Sequence, residues 1–198
     1  MRAAAASLRP GKEPTAEMQP LLLSLLWSLA WALQDQRQVP VQPAFRPEQV
    51  EGRWHTIKLG ATDRAAIEEG GSYRCYMSSI RLLENGDLKV TYFHRQDGRC
   101  VEDFYIAEKT DSPGRYTFEY EGKNYLTFVA ASDDFVIMDL ENHSDRGQLI
   151  VAELHSRAPW AGELGQEAYR KHTQSRGIRP DDVVDLSVDP ARCSPSEP

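Results

Sequence analysis

The pentapeptide Gly52-Arg53-Trp54-His55-Thr56 opens the part of the chain that decides the fold. From here to residue 157, short segments rich in β-branched and aromatic residues alternate with breaks that contain Gly, Pro, Asn or Asp. Breaks such as Asn85-Gly86 and Asp97-Gly98 supply the positive-φ residues that tight hairpins need. The segments predict eight strands, at residues 55–61, 73–83, 88–95, 100–109, 115–120, 124–131, 135–141 and 148–157.

The spacing of these strands predicts an antiparallel meander that closes into a barrel, because closure removes exposed edges. One helix is predicted after the last strand, at residues 162–176, with Leu164, Ala168 and Tyr169 on its apolar face and Gly177 as its stop signal. This apolar stripe is narrow, so we expect the helix to lie on the outside of the barrel. The predicted fold class is all-β, an eight-stranded antiparallel up-and-down barrel with one C-terminal α-helix packed outside.

The N-terminal part of the chain differs from the rest in composition. Residues 21–33 are almost wholly apolar, are too short to span a bilayer, and end in Ala30-Trp31-Ala32, whose small residues two apart suit signal peptidase. We therefore interpret residues 1–32 as a signal peptide with an upstream extension, and either Met1 or Met18 as the start. The alternative is a buried or membrane-anchoring helix. Beyond it we expect an N-terminal segment at 33–49, a barrel with its helix at 50–193, and a tail at 194–198.

Charge and motif content exclude several function classes. A net charge of −7 over 198 residues argues against binding to nucleic acid or to anionic membranes. His94, His143 and His172 have no companion ligands at metal-binding spacing, and the three cysteines lack the close pairs of a zinc site. Neither a phosphate-binding glycine loop nor a nucleophile elbow is present in the sequence. We expect no metal, no other cofactor and no stable membrane insertion.

The order of these features resembles the lipocalin family over residues 45–193: Gly-Xaa-Trp, eight hairpin-linked strands, an arginine, a helix and a terminal cysteine. Segments such as Gly52-Arg53-Trp54-His55-Thr56, Leu83-Glu84-Asn85-Gly86 and Tyr120-Glu121-Gly122 are similar to the branch of odorant-binding proteins, major urinary proteins and mammalian allergens. The resemblance implies a secreted, extracellular carrier of a small hydrophobic molecule of odorant, pheromone or lipid type. It also implies that the protein is not an enzyme, and that it is a monomer or weak homodimer.

The resemblance assigns structural roles to five residues. Gly52 and Trp54 would close the floor of the barrel, and Arg157 would lie across the Trp54 ring in a cation–π contact. Cys100 and Cys193 would form the disulfide that joins the C-terminal tail to the fourth predicted strand. Cys75 would then remain unpaired.

A strand register taken from the resemblance points a mainly apolar and aromatic set of side chains into the barrel, as a site for a hydrophobic molecule requires. The alternative is a barrel filled by these same side chains. The predicted ligand-binding residues are Tyr73, Cys75, Met77, Leu88, Val90, Tyr92, Phe118, Tyr120, Met138, Leu140, Val151, Glu153 and His155.

Two polar residues in this set, Glu153 and His155, lie on the same face of the eighth predicted strand. If that face is interior, they are expected to pair with each other or with Tyr120, and to present a donor to a ligand carbonyl or hydroxyl. A one-residue slip in register would place them in solvent instead. The interior reading is favoured because Ile150 and Leu154, on the opposite face, need the cover of the helix. A buried histidine would make ligand retention depend on pH.

Three further hypotheses follow from single features. Cys75 lies about where a lipocalin-type prostaglandin isomerase carries its reactive thiol, although a buried cysteine more often packs as a small hydrophobe. The barrel could instead serve to bind a cell-surface receptor or another partner protein; the turn Ser132-Asp133-Asp134-Phe135, altered from the family's pattern, neither supports nor excludes this. Asn142-His143-Ser144 is a glycosylation sequon in a predicted hairpin.

Overall fold

The structure is a computed structural model that describes residues 39–190 and 192–193. The predicted signal peptide, both candidate starts and the tail at 194–198 lie outside the described residues. The strands are β1 (Gly52–Arg53), β2 (His55–Ala61), β3 (Tyr76–Leu82), β4 (Leu88–Gln96), β5 (Arg99–Lys109), β6 (Arg115–Glu119), β7 (Lys123–Ala131), β8 (Phe135–Ser144), β9 (Gly147–Ser156) and β10 (Val183–Asp185), and the helix is α1 (Glu163–Ser175).

The sheet closes on itself through the short break between β1 and β2. Its strand order is β1-β3-β4-β5-β6-β7-β8-β9-β2-β10, and each pair is antiparallel. β1 pairs with β3 and β2 pairs with β9, while Trp54, the single residue between them, donates its backbone N–H to Ser78. The stretch that contains β1 and β2 therefore pairs with β3 on one side and with β9 on the other. β1 and β2 together act as one strand of an eight-stranded barrel, and β10 is an additional strand beside β2. The predicted barrel class is confirmed.

Strand β3 begins later than predicted, at Tyr76 rather than at residue 73. The preceding residues form a loop, because a 3₁₀ turn at Arg64–Ala66 and backbone bonds from Gly71 to Glu68 and from Tyr73 to Ala66 fold it back on itself. This loop, at residues 62–75, lies at the same end of the barrel as the β4–β5 and β6–β7 hairpins. We call that end the mouth.

The opposite end of the barrel is covered by the segment that precedes β1. Phe45 stacks on Phe128 of β7 with ring centroids 5.0 Å apart, and Gln42 donates its backbone N–H to the carbonyl of Phe128. Val50 follows a 3₁₀ turn at Pro47–Gln49 and is fully buried. We call this end, with Trp54 and Arg157, the closed end.

The helix α1 packs on the outside of the barrel, as predicted, and Ala168 and Tyr169 of its predicted apolar face contact the sheet, while Leu164 does not. Its buried residues are Gly165, Tyr169, His172 and Thr173, while Leu164 is 82% exposed. The prediction for Leu164 was wrong because the sheet-facing stripe follows polar and small side chains that hydrophobicity does not mark. Tyr169 donates to the carbonyl of Ala152 at 2.9 Å, and this bond holds the helix against β9.

The helix ends as its sequence predicts. Gly177 has a φ of +72°, and it follows the last helical residues. The N–H of Ile178 bonds to the carbonyl of Thr173 and that of Gly177 to the carbonyl of Gln174, the paired bonds of a Schellman cap. Within the described residues, no helix is long and apolar enough to cross a membrane.

Candidate ligand-binding site

The closed end is sealed by Trp54, whose side chain is 1% exposed. Its indole N–H donates to the carbonyl of Val50 at 2.8 Å, and the guanidinium carbon of Arg157 lies 3.6 Å from the ring centroid. Arg157 also donates to the carbonyls of Arg53 and Glu51, at 2.9 and 2.8 Å. This one guanidinium therefore joins the end of β9 to the segment that contains β1.

Gly52 is required at this floor for two reasons. Its φ is +111°, a region that side chains disfavour. A Cβ atom here would also lie 2.9 Å from a guanidinium nitrogen of Arg157. The structure thus brings together Gly52, Trp54 and Arg157, the three residues that the resemblance placed at the floor of the barrel.

Above the floor the barrel is only partly filled. A cavity of about 410 Å³ opens towards the mouth. Nine of the predicted side chains line it: Tyr73, Cys75, Met77, Val90, Tyr92, Phe118, Tyr120, Leu140 and Glu153. Four do not, namely Leu88, Met138, Val151 and His155, which are buried at 1% exposure or less and pack in the interior instead. These four point inward as expected, but neighbouring side chains cover them.

The cavity is not centred in the barrel. Its strand residues come from β3, β4, β5 and β6, with Leu140 of β8 and Glu153 of β9 on the far wall. We call β3–β6 the hollow side. On the other half, β2, β7, β8 and β9, inward side chains interlock with one another and with Ile67 of the mouth loop, and we call it the packed side. Its filling residues include Leu59, Ala61, Leu126, Phe128, Met138 and Val151, all buried.

Strand β5 contributes residues to the cavity lining that were not predicted from the sequence. Tyr105 stacks on Phe118 with centroids 4.1 Å apart and an interplanar angle of 23°, and lies 6.0 Å from Tyr92. Asp103 and Phe104 also line the cavity. Asp103, Tyr105 and the buried Ala107 lie two residues apart, so strand alternation could have placed them on one face. The acidic residues nearby interrupt any apolar pattern, so this signal was missed.

The mouth loop covers one side of the opening, and only Tyr73 and Cys75 of it were predicted to line the cavity, as part of a strand. Tyr120 donates its hydroxyl to the carbonyl of Ser72 at 3.0 Å, and Ser72 donates to a carboxylate oxygen of Glu121 at 3.0 Å. The rings of Tyr73 and Tyr120 meet edge to face at 5.5 Å. The remaining lining residues are Glu69, Gly70, Gly71, Arg74 and Tyr76 of the loop and β3, with His94, Arg95 and Glu119 of the hairpins.

A chain of hydrogen bonds lies at the base of the cavity. Glu153 Oε2 is 2.9 Å from His155 Nε2, and His155 Nδ1 is 3.2 Å from Thr56 Oγ1. Thr56 accepts the backbone N–H of Met77 at 2.7 Å. Glu153 and His155 therefore pair with each other on the interior face. Ala152 and Leu154 face outward under the helix. Tyr120 bonds to the mouth loop and not to this pair.

The free thiol of Cys75 lies in the cavity wall close to Glu153. Burial raises the pKa of the Cys75 thiol well above its usual range, and the negative charge of Glu153 raises it further. Because the thiolate is the nucleophilic form, this environment favours an unreactive thiol.

The other two cysteines form a disulfide, in which Cys100 of β5 is bonded to the buried Cys193. Asn142 is 4% exposed, and its side-chain nitrogen donates to the carbonyls of Tyr120 and Glu121 and to Asn124 Oδ1. Because a glycan would occupy that nitrogen, Asn142 is a structural side chain in the folded protein rather than an exposed glycan acceptor. No cluster of metal-binding side chains occurs among the residues that the structure describes.

A family model for the lipocalin / cytosolic fatty-acid binding protein family matches residues 51–189. This chain is a lipocalin. It is similar to major urinary protein 20 of Mus musculus, at 31% identity over 144 residues, which cover 72% of this chain and 79% of that protein. It is also similar to allergen Fel d 4 of Felis catus, at 30% identity over 139 residues, with coverage of 70% and 73%.

Among solved structures, the lipocalin is similar to trichosurin, a possum milk whey lipocalin with bound 4-ethylphenol. The TM-score is 0.67 at 26% identity, and the match covers 73% of this chain and 99% of trichosurin. The predicted branch of major urinary proteins, odorant-binding proteins and allergens is confirmed by these relatives.

Proposed function

We propose that this lipocalin is a secreted carrier that binds a small hydrophobic molecule, of odorant, pheromone or lipid type, in the cavity of its hollow side. The observation that carries the proposal is a space of about 410 Å³ between aromatic and aliphatic walls. Pockets for small molecules span roughly 300–1,000 Å³, so this one suits a ligand at the lower end of the range. The 4-ethylphenol held by trichosurin is a ligand of that kind.

The walls supply enough apolar surface for useful affinity. Burying about 250 Å² of apolar ligand surface contributes on the order of 6 kcal/mol before the costs of association, at roughly 25 cal/mol per Å². We therefore expect dissociation constants in the micromolar range. Specificity would come from the few polar groups that line the cavity, chiefly Glu153 and the tyrosine hydroxyls.

Secretion is supported by two independent features. The apolar segment at residues 21–33 ends in the small-residue pattern of a cleavage site. The Cys100–Cys193 disulfide belongs to a class of bond that persists in oxidising compartments and is rare in the cytosol. The test is expression of the full chain in mammalian cells, with the N-terminus of the protein in the medium determined by mass spectrometry. A chain found only in cell lysate, with residues 21–33 retained, would overturn this part.

Ligand binding is tested by calorimetric titration of the purified protein with 4-ethylphenol. We expect saturable binding at one site. Leu140→Trp fills the cavity from β8 and should abolish the heat of binding, whereas Ile106→Trp, on the outer face of β5, should leave it unchanged. A wild-type protein that binds neither 4-ethylphenol nor longer alkylphenols while folded would exclude the carrier function.

We propose no catalytic turnover in this cavity. The protonated thiol of Cys75 supports this, because the isomerase hypothesis needs a thiolate. Incubation of the protein with a prostaglandin endoperoxide is the direct assay, and isomerisation that disappears in Cys75→Ala would overturn the proposal.

A further inference from the structure

Glu153 is the one carboxylate at the base of the cavity, and it is 8% exposed. Its Oε2 atom bonds to His155, while within the described part of the chain no hydrogen bond occupies Oε1. Oε1 is not fully buried, and it faces the cavity that Glu153 lines. A ligand in the cavity therefore meets an acceptor oxygen with a vacant lone pair.

The hydrogen-bond chain behind Glu153 indicates that the histidine is neutral. Thr56 is fully buried, and its hydroxyl oxygen accepts the N–H of Met77. The hydroxyl proton of Thr56 therefore needs an acceptor on another residue, and His155 Nδ1 lies within reach. His155 Nδ1 accepts that proton only in the tautomer that carries hydrogen on Nε2, which then donates to Glu153. A doubly protonated ring would leave the Thr56 proton without an acceptor among the described residues.

The base of the cavity thus carries a negative charge that no lysine or arginine among the described residues pairs with. Its effect reaches the neighbouring groups, because the charge of Glu153 adds to burial in raising the pKa of both Cys75 and Tyr105. The whole lining holds four carboxylates, Glu69, Asp103, Glu119 and Glu153, against two guanidiniums, Arg74 and Arg95. Arg74 is itself paired with Asp189 at 2.7 Å. The field in the cavity therefore favours a cation.

The aromatic walls suit the same kind of ligand. Tyr92, Tyr105, Phe118 and Tyr120 surround the space, and ring faces attract a cation while they bury its apolar part. An apolar ligand without a donor would cover Glu153 Oε1 and leave that oxygen without a hydrogen bond, which is costly. A ligand that brings its own ammonium group would remove that cost.

We propose that the cavity selects small aromatic or aliphatic amines in their protonated form, with Glu153 as the counter-ion for the ammonium group. This rests on the proposed carrier function and names its ligand class. It reverses the polarity expected from the sequence alone, because Glu153 and His155 present an acceptor to the ligand rather than a donor.

The experiment compares two ligands of the same shape by calorimetry at pH 7.4, 2-phenylethylamine and 2-phenylethanol. We expect the amine to bind at least fivefold more tightly than the alcohol. Glu153→Gln keeps an oxygen that accepts from His155, and it should weaken the amine at least tenfold while changing the alcohol less than threefold. Glu102→Gln, the same change on the outer face of β5, should alter neither ligand.

The outcomes separate the two levels of the proposal. If the alcohol binds as well as the amine to the wild-type protein, or if Glu153→Gln weakens both ligands equally, the amine class is excluded while the carrier function stands. If neither ligand nor 4-ethylphenol binds, the carrier function itself is excluded. The comparison of the two ligands on the wild-type protein needs no variant, so it decides the question even if Glu153→Gln fails to fold.

Discussion

The two halves of this barrel are built from similar strands but are filled differently. On the packed side, Leu126 and Phe128 of β7 and Met138 of β8 are fully buried, and helix α1 covers the outer face of the sheet. On the hollow side, β4 and β5 carry tyrosines that border an open space, and no helix covers them within the described residues. Stability and ligand binding are thus divided between two sets of strands, and each can be altered separately.

The largest effect should come from removing one ring on each side. Phe128→Ala on the packed side deletes a fully buried ring that stacks on Phe45, and should cost about 3–5 kcal/mol of unfolding free energy. Phe118 is only half-buried and borders the cavity, so Phe118→Ala removes less buried apolar surface. It should cost about 1–2 kcal/mol while it weakens ligand binding. Urea denaturation and calorimetric titration measure the two quantities. Equal costs would break the distinction between the sides.

The second effect concerns the disulfide, which attaches the C-terminal tail to the hollow side. The double variant Cys100→Ser, Cys193→Ser removes a disulfide between cysteines that are 93 residues apart in the sequence. Its loss should destabilise the protein by about 2–4 kcal/mol. Because Cys100 is the second residue of β5 and pairs with Arg95 of β4, hydrogen exchange should accelerate in β4 and β5 more than in β8 and β9. Uniform acceleration across all strands would show that the two sides unfold as one unit.

Part of this division could be predicted from the sequence and part could not. Alternation placed the inward residues of β4, β8 and β9 correctly, because the period of two survives in strands with one apolar face. It could not say which inward side chains are covered: Met138 and Leu140 share a face, yet Leu140 alone lines the cavity. That outcome depends on which side chains from other parts of the chain pack over each residue, and the pattern along one strand does not record this.

The same limit explains the other differences. Strand β5 has acidic residues on both faces, so Tyr105 gave no apolar pattern to follow. The contact face of helix α1 uses Gly165 and His172, which hydrophobicity does not select. The structure has two more strands than the eight predicted, β1 (Gly52–Arg53) before the first predicted strand and β10 (Val183–Asp185) after the helix. Both are two or three residues long, and only their pairing with β3 and β2 identifies them.

A third test uses the thiol of the hollow side. Burial and the charge of Glu153 raise the pKa of the Cys75 thiol. The thiol should therefore stay protonated at neutral and mildly alkaline pH. Iodoacetamide at pH 8 should therefore label Cys75 at least a hundredfold more slowly in the native protein than in urea. Mass spectrometry follows the reaction. Rapid native labelling would show that water reaches the cavity wall freely.

The smallest expected effect is a pH dependence on the packed side. Burial, together with the positive charges of Arg192 and Arg53, lowers the pKa of His55 on β2 below its ordinary value of 6.5. The unfolded chain then binds the proton more readily, so this contribution to stability is complete above pH 6.5 and is lost as the pH falls through the lower folded pKa. Thermal melts between pH 7.5 and pH 5 should show a steeper loss for wild type than for His55→Gln. Parallel profiles would contradict this assignment.

The residues after β10 cross from the packed side to the hollow side before they reach Cys193. On the way, Asp189 accepts from Arg74 and from the hydroxyl of Tyr76, next to the mouth loop. The segment that follows β10 therefore holds the entrance to the cavity in place through Asp189, and the Cys100–Cys193 disulfide fixes the end of this segment. A bond of this kind persists under oxidising conditions. Reduction of the Cys100–Cys193 disulfide is therefore expected to loosen the entrance to the cavity as well as the C-terminal segment.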